Sequence, residues 1–158
     1  MISNKLAREV LGRAVQTGGD FAEIFLEDRE NHSVSLRSGK IDAVSSGRLH
    51  GAGVRVFVGT NAIYVHTNDT TREGLLSCAA KAAAAVSASR SGLVIPELSL
   101  TDAFDPTTIR LWPSDVKAAR KAEKLRAADA AARALSPDIS QVIAAYNDSV
   151  QRVWIFNT

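Results

Sequence analysis

DFAEIFLEDRENHSVSLRSGKIDAVSSGRLHGAGVRVFVGTNAIYVHTND, residues 20–69, is the stretch whose reading decides the fold. Ala22, Ile24 and Leu26 fall on one face of residues 20–28, while Phe21, Glu23, Phe25 and Glu27 share the other. That period-2 alternation predicts a half-buried strand. Val34 and Leu36 then alternate with Ser33, Ser35 and Arg37, and Ser38-Gly39-Lys40 supplies a turn before Ile41, Ala43 and Val44 resume the apolar pattern. A hairpin is the expected result. Residues 51–58 are rich in strand formers and end at Gly59-Thr60-Asn61, after which residues 62–66 alternate again. The whole stretch reads as an antiparallel meander of roughly four or five strands.

Helices are expected on either side. Ile2, Leu6, Val10, Leu11, Ala14 and Val15 recur at three- and four-residue spacing, with Gly18-Gly19 as the stop. After the meander, Thr70 and Glu73 read as a capping box opening an alanine-rich helix that reaches about Ser89. Small side chains along that helix suit close packing on a sheet.

The second half has a different character. Three of the four prolines, Pro96, Pro106 and Pro113, fall within residues 90–113 with little periodicity, so a long loop or linker is expected there. A helix is expected from Ser114 or Asp115 to about Leu135, where Ser136-Pro137-Asp138 breaks it. Residues 142–146 and 150–156 then read as two strands of a C-terminal hairpin around Asn147-Asp148-Ser149. The fold class is α+β: meander between helices, proline-containing loop, helix, hairpin. A strand carrying Val153, Trp154, Ile155 and Phe156 so near the last residue leads to the expectation that residues 1–158 are one N-terminal domain of a longer polypeptide. Its segments would be 1–89, 90–113 and 114–158.

Composition narrows the function classes. A net charge of +2 on 158 residues gives no general electrostatic case for nucleic acid or an anionic membrane. The single cysteine, Cys78, excludes an internal disulfide, and no signal peptide or long apolar span is visible. A cytoplasmic setting is the default expectation. Nucleophile elbow, P-loop and Cys-x-x-Cys patterns are all missing.

The ordered series Gly19-Asp-Phe-Ala-Glu-Ile-Phe-Leu-Glu-Asp-Arg29, Ser38-Gly-Lys-Ile-Asp-Ala-Val44, Gly51-Ala-Gly-Val-Arg-Val56 and Thr67-Asn-Asp-Thr70 resembles the N-terminal domain of the TldD/PmbA family. Its opening element is closer to the TldD branch than to PmbA, also called TldE. The resemblance implies a zinc metallopeptidase acting on unfolded or peptide substrates together with a PmbA/TldE-like subunit, in a family formerly described as modulators of DNA gyrase. It also implies that the metal motif, His-Glu-x-x-x-His with a later cysteine, lies beyond this domain. His32, His50 and His66 are all in the meander, none precedes a glutamate, and no two have helical ligand spacing. No catalytic or metal-binding residue is therefore expected in this chain, and zinc would belong to the parent protein. One departure from the family pattern is Ile63, which stands before Tyr64-Val65 where the family often has glycine.

Four residues are candidates for contact with a substrate or partner: Arg55, His66, Asn68 and Asp69. His66, Asn68 and Asp69 could line a groove at a strand end, though a polar strand terminus running into a helix cap explains them more simply. Arg55 could face a partner or merely point outward from its strand. Cys78 reads as a small buried residue, and Lys117, Arg120, Lys121 and Lys124 as a solvated helix face interrupted by acids. Two function classes follow. One is the non-catalytic N-terminal domain of a TldD-type peptidase, serving as scaffold, partner interface and peptide-pairing edge; the other is a stand-alone or PmbA-like metal-free assembly module, with self-association open to either.

Overall fold

The computed structural model describes residues 1–86, 95, 97–99, 101 and 108–158. Its elements are α1 (Asn4–Val15), β1 (Phe21–Arg37), β2 (Lys40–Val58), β3 (Asn61–Thr67), α2 (Arg72–Ala84), a 3-10 turn (Pro113–Asp115), α3 (Ala118–Arg133) and β4 (Ile143–Asn157). The architecture is α+β, as the patterning predicts. The strands form one sheet in the order β3-β2-β1-β4. β2 and β3 are antiparallel, with Val54 opposite Val65. β4 runs antiparallel to β1, since the Thr158 N–H donates to the Ala22 carbonyl near the start of β1 and the Ser38 N–H donates to the Val142 carbonyl near its end.

The meander holds fewer and longer strands than its sequence suggests. β1 is 17 residues and β2 is 19, so the expected four or five strands are three. The polar runs at residues 27–31 and 45–47 do not interrupt these strands, because a strand is held by its ladder of backbone bonds, and polar side chains on an open face leave that ladder intact. The turn at Ser38-Gly39 does form as expected, with both residues at positive φ, 48° and 77°, the backbone that a two-residue turn matching strand twist requires.

The C-terminal hairpin does not form. Residues 143–157 are a single strand. Asn147-Asp148-Ser149 offers turn-forming side chains but no glycine for the positive φ of a tight turn, and the Asp148 side chain is drawn inward instead. The α3 start differs too: residues 113–115 make a short 3-10 turn and the helix begins at Ala118. Its end agrees with the reading, since Ser136 Oγ accepts from the Asp138 N–H just past the last turn. The α2 cap is one residue later than the Thr70 box. Thr71 Oγ1 accepts from the Gly74 N–H, while Asp69 Oδ1 takes both the N–H and the hydroxyl of Thr71. A Cβ at Gly74 would lie 2.3 Å from the Asp69 carboxyl carbon, so glycine at 74 is what lets Asp69 fold back onto the helix start. Ser87–Ser89 of the predicted helix, and residues 90–94, 96, 100 and 102–107 of the predicted loop, lie outside the described residues.

The chain divides into two compact units. The first comprises Met1–Asp28, His50–Ala103 and Arg152–Thr158. Its core joins Ala7, Val10, Leu11 and Ala14 of α1, Ala22, Ile24, Leu26, Val54 and Val56 of the sheet, and Leu75, Cys78, Ala79 and Ala82 of α2. The 3.6-residue period places the helical members on one stripe and the period-2 alternation places the strand members on one face. α1 packs on α2, and α2 on β3. Arg72 clasps Glu9 through two hydrogen bonds, tying the start of α2 to α1. Ile63 is an ordinary strand residue packed against this core, and its φ is not positive, so the family's glycine is not needed at that position.

The second unit, Arg29–Leu49 with Phe104–Gln151, has a much smaller apolar cluster. Val34 and Leu36 of β1 meet Ala122 and Leu125 of α3, with Ile41, Ala144 and Tyr146 against them. Because Leu75 has no exposure at the centre of the first core, Leu75→Ala should destabilise the protein by about 2–5 kcal/mol in urea unfolding.

Candidate functional site

Two polar arrangements stand out, one in each unit. In the first unit, Arg55 lies opposite Tyr64 and Gly53 opposite His66 in the β2–β3 register, which puts Arg55, Tyr64 and His66 on one sheet face. The Arg55 guanidinium lies 5.9 Å from the Phe57 ring centroid and 5.5 Å from that of Tyr64, and 3.9 Å from a Glu23 carboxylate oxygen. Tyr64 stacks on His66 with centroids 6.3 Å apart. The Tyr64 ring also lies over Gly53, where an added Cβ would come within 2.1 Å of its hydroxyl. The absence of a side chain at 53 is what permits this approach.

The other two predicted residues fall past the strand end. Asn68 is exposed at the bend. Asp69 is bound to Thr71, and together with His66, Thr67, Glu73, Ser77, Cys78 and Lys81 it lines a cavity of about 340 Å³. Sequence candidates His66 and Asp69 thus do border one cavity, while Arg55 belongs to the aromatic face. The chemistry available in the cavity is limited. The Thr71 hydroxyl first, and its N–H second, hold the Asp69 carboxyl below its ordinary value of 3.8, which suits a capping acceptor and not a base. Burial pushes the Cys78 thiol up, and its Sγ donates to the Val65 carbonyl at 3.3 Å. That is opposite to what a nucleophilic cysteine needs.

The second unit holds a cluster that sequence reading missed. The Asp148 side chain of β4 is only 7% exposed, and its Oδ2 accepts from Lys121 Nζ of α3 at 2.6 Å; the Lys121 side chain is 5% exposed. The other carboxylate oxygen, Oδ1, lies 3.1 Å from Nδ1 of His32 on β1. Lys121 also sits 5.7 Å from the Tyr146 ring centroid. One carboxylate therefore joins a helix and two strands. The signal was present in the alternation: Val34 and Leu36 face inward on β1, and two residues earlier on the same face stands His32. Likewise Ala144, Tyr146 and Val150 put Asp148 on the inner face once residues 143–157 are read as a single strand. Lys121 shares a helical face with Leu125, four residues on.

Among the described residues, no group of three or more His, Cys, Asp or Glu side chains could hold a metal ion. Among them, too, no helix is long and apolar enough to cross a membrane.

Two outcomes follow. Removing the carboxylate leaves a buried ammonium without its partner, so Asp148→Ala should cost about 3–5 kcal/mol in urea unfolding. Replacing both members together, Asp148→Leu with Lys121→Met, should cost much less. For Asp69, a depressed carboxyl contributes stability above its unfolded value that is lost as pH falls through the lowered folded value. Thr71→Ala should therefore move the Asp69 titration, followed by NMR, up toward 3.8, and lost capping should cost about 1 kcal/mol.

Comparison with known proteins gives the following. The family model described as PmbA/TldA metallopeptidase domain 1 matches residues 22–86, and the model described as the PmbA/TldA metallopeptidase central domain matches residues 112–158. Together the two matches cover more than half of the chain. No curated protein matches. Among solved structures, a protein described as a modulator of DNA gyrase from Bacteroides thetaiotaomicron aligns with TM-score 0.74 at 18% identity, over 99% of this chain and 37% of its own. Another so described, from Thermotoga maritima, aligns with TM-score 0.64 at 16% identity, over 99% of this chain and 35% of its own. TldE from Thermococcus kodakarensis aligns with TM-score 0.55 at 18% identity, over 94% of this chain and 34% of its own. At such identities the likeness is one of fold. The sequence spans little more than a third of the length of these solved chains.

Proposed function

Since the chain belongs to the PmbA/TldD family, we propose that it is the N-terminal, non-catalytic part of a TldD-type zinc metallopeptidase that hydrolyses unfolded or peptide substrates. The observation that carries this reading is the succession of the domain-1 and central-domain matches along one chain. The three histidines support a role away from the chemistry, because each is engaged elsewhere. His32 bonds Asp148, His50 Nε2 lies 2.9 Å from Thr70 Oγ1, and His66 stacks on Tyr64. Zinc, supplied by residues of the parent protein outside this sequence, would activate water for attack on a peptide carbonyl.

The contribution of these 158 residues is then scaffold, partner interface and sheet edge. β3 and β4 are the outer strands of the sheet, and an outer strand offers backbone donors and acceptors to an extended peptide. The exposed Arg55, Tyr64 and His66 face supplies the aromatic and arginine surface on which a PmbA/TldE-like subunit, or a second copy, could dock. The setting is cytoplasmic. A second reading, a metal-free PmbA-like assembly module, draws support from the likeness to TldE.

Incubated with zinc and a carboxymethylated, unfolded polypeptide, the 158-residue chain should release no fragments, while the zinc-loaded parent protein with its partner subunit should. Cleavage by the pure 158-residue chain would overturn the assignment of a non-catalytic role. An inactive, zinc-free parent would favour the second reading.

A further inference from the structure

The second unit contains a polar cavity of about 520 Å³, lined by Asn31, His32 and Ser33 of β1, Ser45, Ser46 and Gly47 of β2, and Asn147, Asp148 and Ser149 of β4. We propose that it is a binding site for the main chain of an extended, uncharged peptide segment, with His32 Nε2 as its fixed acceptor.

The argument starts from the carboxylate at the cavity wall. An ionised Asp148 can only accept, and both of its oxygens are engaged, Oδ2 by the Lys121 ammonium and Oδ1 by the imidazole. Whenever the His32 imidazole is neutral, its one ring proton therefore sits on Nδ1. The lone pair is left on Nε2, for which no partner exists among the described residues. His32 is about one-third exposed. The Lys121–Asp148 pair thus acts as a clamp that sets the tautomer and orientation of an accessible imidazole, as carboxylate partners do for functional histidines elsewhere. A buried ion pair is a weak device for stability alone.

The remaining lining selects the ligand class by its chemistry. Asn31, Asn147, Ser33, Ser45, Ser46 and Ser149 offer amide and hydroxyl groups that both donate and accept, and none carries charge. With no basic side chain free of a partner in the lining, a phosphate or carboxylate ligand has nothing to neutralise it. No Phe, Tyr or Trp side chain lines the cavity, which leaves the small His32 imidazole as its one ring and gives a sugar or a base no broad surface to stack on. No aliphatic side chain lines the cavity to receive a lipid chain. Alternating donors and acceptors without charge are what a peptide main chain presents. The lining spans three adjacent strands, two spacings or about 10 Å, which matches about three residues of extended chain. Gly47 of β2 adds no side chain to the lining, and a Cβ there would meet nothing within 4 Å.

This inference rests on the reading above that the parent protein handles peptides, and it adds where a peptide can be held in this chain. The test uses the 158-residue protein, 15N-labelled, titrated with an acetylated and amidated nonapeptide of Gly, Ser and Ala, and in parallel with maltotriose. The expected result is saturable NMR shift changes at Ser45, Ser46, Asn147 and Ser149, with affinity at least about tenfold weaker in His32→Ala, as loss of one hydrogen bond of about 1.4 kcal/mol implies. His32→Ala leaves the Lys121–Asp148 pair in place, and an unchanged amide spectrum elsewhere verifies its fold. The proposal is overturned if the peptide does not saturate the site, if the shifts lie outside the cavity, if His32→Ala binds equally well, or if maltotriose binds as tightly. Because the readout is binding to this chain, a parent protein that cleaves peptides while the cavity stays empty would remove only this inference. Binding here beside an inactive parent would remove only the peptidase reading.

Discussion

The distance between helix and sheet in the first unit is set by alanine, and the placement of everything else in that unit depends on it. Ala7 and Ala14 on α1 and Ala79 and Ala82 on α2 have no exposure, and they lie among Ile24, Val54 and Val56 of the sheet. A methyl group at each contact lets the helix axes approach closely, and the larger Leu11 and Leu75 fill the spaces that remain. Dense packing of this kind leaves α2 little freedom to slide. Its N-terminal turn is consequently held at the end of β3, where Asp69 and Thr71 cap it and the small cavity beside His66 opens.

The second unit has a different organising force. Among the described residues, its apolar cluster has four buried members, Val34, Leu36, Ala122 and Leu125, and beside them one carboxylate joins β1, β4 and α3. Charge attraction in a region shielded from water is directional in a way that apolar contact is not, so it specifies register as well as proximity. The desolvation of two ions offsets most of its contribution to stability. What the arrangement provides is orientation: Lys121 fixes Asp148, and Asp148 fixes His32. The oriented imidazole borders the cavity formed by β1, β2 and β4.

Legibility varied with how local the deciding forces were. Alternation at Ala22, Ile24 and Leu26, the turn at Ser38-Gly39, and the helical stripe of Val10, Leu11 and Ala14 were all readable, since each is decided within a few residues. The cap of α2 was misplaced by one residue because two threonines compete for it, and Asp69, which decides between them, acts through a glycine three residues beyond Thr71. Asn147-Asp148-Ser149 read as a turn because all three types favour turns in isolation. Pairing with β1 and the lysine across from it make the same residues strand. Of the candidate site, Arg55 and His66 could be placed on strands, but their shared face depended on register, and the His32 cluster joins residues more than a hundred positions apart.

By itself the sequence determined the α+β class, the helix-meander-helix order and the family, because periodicity and the ordered motif series are properties of neighbouring residues. It also showed that no His-Glu-x-x-x-His pattern stands among these 158 residues. The tertiary structure alone decided that β1 and β2 run unbroken, that β4 is one strand beside β1, and that Asp148 is buried between a histidine and a lysine. Those outcomes depend on which strand lies next to which, and backbone pairing and ion pairing between distant segments override the local preferences that a sequence displays.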